Sequence, residues 1–109
     1  MSQKLDKQTH WSLEHGPARD STGNRTVAIF FNADDSDRRA EVSIDTRTLG
    51  QFGDLPHELT ARKAYAADVL LAMLEEFTGQ LGRGDLTQID ETKVNMSAVK
   101  QRFRKLKKV

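Results

Sequence analysis

TVAIFFN, residues 26–32, is the stretch on which the fold turns. Val27, Ile29 and Phe31 alternate with Ala28 and Phe30, so both sides carry apolar residues and the period is two. That pattern predicts a strand covered in part on both faces. The polar run ADDSDRR follows as a turn, and AEVSIDT then alternates cleanly, with Ala40, Val42 and Ile44 inward and Glu41, Ser43 and Asp45 toward water. Two such runs around a polar loop predict a hairpin.

Working outward toward the N-terminus, THWSLE alternates weakly and predicts a short half-buried strand through Trp11 and Leu13. HGPARDSTGN is rich in turn formers and is expected as a loop. The three strands would form an antiparallel meander. Toward the C-terminus the period changes to 3.6, since Leu59, Ala66, Leu70, Met73, Leu74, Phe77 and Leu81 fall on one stripe with Asp68, Glu75 and Glu76 opposite. Pro56 suits a first helical turn, and the glycines at 79, 82 and 84 mark an end. One long helix is therefore expected over 56–81, lying against the sheet. LTQIDE is read as a helical turn within a polar connection.

The last segment, from Asn95, places Met96, Val99, Phe103, Leu106 and Val109 on one narrow stripe, with Asn95 or Ser97 available to cap its start. The expected class is thus α+β: a three-stranded antiparallel β-meander packed against one long helix, plus a basic C-terminal helix over 95–108. The organisation follows as a flexible terminus at 1–8, a core at 9–82, a connector at 83–94 and the basic amphipathic helix at 95–109. At 109 residues, with 37% hydrophobic and 30% charged residues, one modest core is the expectation.

The net charge of +1 conceals a segregation. Residues 1–92 carry sixteen acidic and ten basic side chains, whereas residues 93–109 carry seven basic side chains and no acid. An acid-free basic terminus suggests a polyanionic partner. Lys100, Arg102, Arg104, Lys105, Lys107 and Lys108 are the expected nucleic-acid-binding residues, because cations neutralise phosphates and release counterions, giving salt-sensitive affinity for DNA or RNA. Met96, Val99, Phe103 and Leu106 are expected to dock on the core or on a partner. The reading is a small non-enzymatic regulatory protein. An acidic protein surface is the alternative partner for these cations. The competing reading is an adaptor or inhibitor seating Phe103 and Leu106 in a partner's groove, and a homodimer through the same stripe is a third option. A solvated or internally paired charge run is the bland alternative.

Other motifs carry less. LTQIDETKVNMSAVKQRF is faintly like a helix-turn-helix, but Glu91, Thr92 and Asn95 stand where small residues belong. EHGPAR before a strand pair and RKAYAADVLLAML after it are similar to the double-stranded RNA-binding domain, through Gly16, Pro17, Lys63, Ala66, Ala67, Leu71 and Leu74. The sequence departs from that family, since residues 1–9 leave no room for its first helix and its lysine cluster is reduced to Arg62 and Lys63. His10, His15 and His57 have no metal-ligand spacing, and no nucleophile elbow is present, so no metal, cofactor or catalytic residue is expected. The absence of cysteine excludes disulfides, and MSQKLDKQTH has no apolar signal-like run, so a cytoplasmic protein with no membrane association is expected.

Overall fold

Alternation of apolar residues buries one side of a strand, and helices with an apolar stripe cover that side. A computed structural model describes residues 10–34 and 37–107, with side chains as far as Lys105. Its elements run β1 (Trp11–Arg19), β2 (Arg25–Asn32), β3 (Arg39–Asp45), α1 (Thr46–Leu49), a 3₁₀ turn (Gly50–Phe52), α2 (Leu59–Glu76), β4 (Leu86–Ile89) and α3 (Met96–Lys107). The class is α+β with a mixed sheet in the order β1-β2-β3-β4.

The expected meander is present as β1, β2 and β3, paired antiparallel with Ala28 opposite Val42 and Phe30 opposite Ala40. A fourth strand corrects the expectation of three. LTQI forms β4 rather than a helical turn, and it pairs parallel to β3 with Val42 opposite Ile89. A parallel neighbour cannot be reached by a tight turn, and the segment from α1 to α2 supplies the crossover. The spacing of Leu86 and Ile89 fits a helical turn equally well. In the strand it instead puts them on opposite faces, with Ile89 buried and Leu86 exposed.

Strand β1 also runs further than expected, through Gly16 and Pro17. Two register irregularities, between Leu13 and His15 and between His15 and Ala18, accommodate that stretch. Because β1 lies at the sheet edge, Pro17 can lack a ladder donor without breaking the sheet. The turn is confined to Asp20–Asn24, where the Asp20 carboxylate accepts bonds from the Thr22 and Asn24 amides at 3.1 and 3.2 Å and Gly23 takes a φ of 78°. Gly16 and Pro17 thus lie inside a strand, which separates this chain from the loop placement that the RNA-binding-domain likeness requires.

Helix α2 starts at Leu59, capped by the Glu58 carboxylate on the Ala61 amide at 2.8 Å, and stops at Glu76 instead of 81. Thr78 and Gly79 are poor helix formers, and Phe77 is already extended. Phe77 and Leu81 still pack on the core, but from irregular chain. The core joins Ala28, Phe30, Ala40, Val42 and Ile44 of the sheet to Val69, Leu70, Met73 and Leu74 of α2, and to Val99 and Phe103 of α3.

Candidate nucleic-acid interface

Helix α3 begins where the Asn95 side chain accepts bonds from the amides of Ser97 and Ala98, at 3.0 and 3.2 Å. Its apolar stripe fixes its orientation. Val99 is fully buried and Phe103 nearly so; Phe103 stands edge-on to Phe52 at 5.5 Å and to Tyr65 at 5.1 Å. Met96 packs at the margin of the same cluster. The docking stripe therefore contacts the chain's own body. Leu106 continues the helix, but its side chain lies outside the described residues, as does that of Lys107, and Lys108 lies outside them altogether.

Of the six cations expected to meet phosphate, Arg102 is already engaged. Its Nε donates to Glu76 at 2.7 Å and its Nη1 to Glu75 at 3.3 Å, and the Glu75 side chain is only 3% exposed. These two bonds hold the end of α2 against α3 and remove Arg102 from the free set. The pairing spans 26 residues, so nothing in the local sequence of the tail announces it. Lys100 is half-buried, with its ammonium 5.8 Å from the centre of the Phe52 ring. Arg104 and Lys105 are exposed, and neither forms an ion pair with another described residue. At about 100° per residue, they straddle the direction opposite the Val99 and Phe103 stripe. Lys93, just before the helix, is also exposed. It contributes to holding the Asp90 carboxyl below its usual range, after the larger effect of the Thr92 hydroxyl that donates to it.

Elsewhere the histidines are apart. His10 meets Asp34 at 2.5 Å on the surface, His15 lies 3.8 Å from Glu14, and the His57 carbonyl accepts from Arg62. Among the described residues no group of three potential ligands gathers to hold a metal ion, and no helix is long and apolar enough to cross a membrane. The helix-turn-helix reading fails on geometry, because its first helix would fall on β4. Comparison with known proteins finds no matching family model, no similar curated protein and no similar solved structure.

Proposed function

We propose that the chain is a small nucleic-acid-binding protein that grips phosphates through the outer side of α3. Arg104 and Lys105 form the centre of the contact, Lys100 and Lys93 flank it, and Lys107 and Lys108 extend it. The observation that carries this reading is that Arg104 and Lys105 are exposed and form no ion pair with another described residue. Residues 93–109 hold seven cations and no acid, and of those with described side chains only Arg102 is hydrogen-bonded to carboxylates. Arg102 is reassigned from phosphate contact to holding the helix. The adaptor reading is weaker, because Phe103, one of the two residues that would fill a partner's groove, is buried in the chain's own core.

The test is a titration against duplex DNA and structured RNA at low and moderate salt. Reversing Arg104 and Lys105 together to glutamate should weaken binding by tenfold or more, on the order of 1.4 kcal/mol, and flatten the slope of log affinity on log salt by about two. The two positions are exposed, so the fold should persist. Absence of binding at low salt, or an unchanged affinity in the charge-reversed variant, would overturn the reading.

A further inference from the structure

A second feature stands apart from α3. Between the end of β1, α1 and the first turns of α2 lies an open cleft of about 350 Å³, within the range that holds small organic ligands. Pro17, Leu49, Leu55 and Leu59 give it an apolar lining, and Leu59 is 62% exposed, an unusual position for a leucine that only closes a core. Three cations share the lining, Arg19, Arg62 and Lys63, and among the described residues no carboxylate does. The hydroxyls of Thr26 and Thr46, also on the lining, lie 3.1 Å apart and bond to each other.

The cations are not consumed by the fold in the way that Arg102 is. Arg19 and Lys63 form no ion pair with another described residue. The Nε and Nη2 of Arg62 donate to the carbonyls of Pro56 and His57 at 2.9 and 3.4 Å, which fixes the guanidinium while leaving its Nη1 donors unspent. The start of α2 is itself satisfied by the Glu58 carboxylate, so the positive character of the cleft comes from side chains and not from the helix end.

We propose that this cleft binds a small amphipathic carboxylate, an aliphatic tail lying along Leu49, Leu55 and Leu59 with its acid group among Arg19, Arg62 and Lys63. An apolar wall alone would accept any greasy molecule, whereas three cations without a counter-charge select an anion. A fixed guanidinium with its remaining edge free is suited to a carboxylate. The proposal is independent of nucleic-acid binding by α3.

Octanoate is the probe, titrated into the isotope-labelled full chain while backbone amide shifts are followed. The expected result is saturable shifts at Ala18, Leu49, Leu55 and Leu59 with a dissociation constant below about 1 mM. Removing two methylenes, by using hexanoate, should weaken binding by up to about fifteenfold. Octanol keeps the tail and lacks the charge, and should bind about fivefold or more weakly. Lys63→Glu and Leu59→Ser sit at exposed positions and should each weaken octanoate about fivefold in a chain whose remaining spectrum is unchanged. Charge reversal at Arg104 and Lys105 should leave octanoate affinity as it is. No saturable shift at millimolar octanoate, equal affinity for octanol, or indifference to Lys63→Glu would each overturn the proposal, and tighter binding of octyl phosphate would overturn its assignment to a carboxylate.

Discussion

Arg25 and Glu91, 66 residues apart, show how single side chains close this fold. The guanidinium donates to Glu91 through Nη2 at 2.5 Å and Nη1 at 3.4 Å, and its Nε and Nη2 also reach the Ser43 hydroxyl at 3.3 and 3.1 Å. Glu91 in turn accepts from the Asp45 amide at 3.3 Å. One carboxylate thus ties the chain after β4 to β2 and to the end of β3. Burial pushes its pKa up, but the Arg25 and Asp45 donors outweigh burial and leave it below the ordinary value of 4.5. A carboxyl with a depressed folded pKa contributes stability above its unfolded value and loses it as the pH falls through the folded value. Glu91→Gln should therefore cost about 1 kcal/mol near neutral pH, a figure kept small because both partners retain some exposure. That gap between variant and wild type should narrow on acidification below about pH 4.5. Urea midpoints for both proteins across this range check it, and a gap that stays constant into strong acid would show that the bond, and not the charge, is what matters.

At the scale of elements, α3 belongs to the core and is not an appended tail. Phe103→Ala removes two edge-on aromatic contacts and a nearly buried ring, and should destabilise by about 3–5 kcal/mol, while Lys105→Ala on the outer side should change stability by less than about 0.5 kcal/mol. Chemical denaturation decides this, and a Phe103→Ala cost near that of Lys105→Ala would mean that α3 is only loosely attached. The existence of α3 was legible in the sequence because its stripe repeats at helical spacing, and β2 and β3 were legible because they alternate over seven residues with turn formers between. Strand β4 was not, since four residues carry too little pattern to separate a period of two from 3.6. The first half of β1 was legible through Trp11 and Leu13, while its second half was hidden by Gly16 and Pro17, which signal a turn until an edge position makes proline acceptable. The end of α2 was overrun because Phe77 and Leu81 continue the apolar stripe after the backbone has left the helix. The candidate interface was legible as a count of cations. Which cation the body would claim was not, because Glu75 and Glu76 meet Arg102 only after α2 and α3 have packed.

The whole molecule is a sheet with its helices on one side, and the sequence leaves open which side of β2 they take. The smaller set wins: Thr26, Ala28 and Phe30 face the helices, with Ala28 and Ala40 in a core that also holds Ala66 and Ala72. Such small residues let a helix come close to the sheet. Val27, Ile29 and Phe31 are left half-buried on the other face, paired across the sheet with Ser43, Glu41 and Arg39. Polar side chains partly roof them: Arg39 is bonded to Glu14, Gln88 donates to Glu41 at 2.9 Å, and Arg25 reaches Ser43. The aliphatic stems of such residues cover apolar surface while their heads stay in water. Adjacent phenylalanines therefore sit in different environments, and their truncation should separate them. Phe30→Ala should cost about 3–5 kcal/mol, and Phe31→Ala less than about 2 kcal/mol, because its ring gives up less buried area and leaves no closed cavity. Denaturation at two protein concentrations carries the argument further: an equal cost at both positions that grows with concentration would mean that a second copy covers this face, whereas unequal, concentration-independent costs match a sheet roofed by its own arginine and glutamate stems.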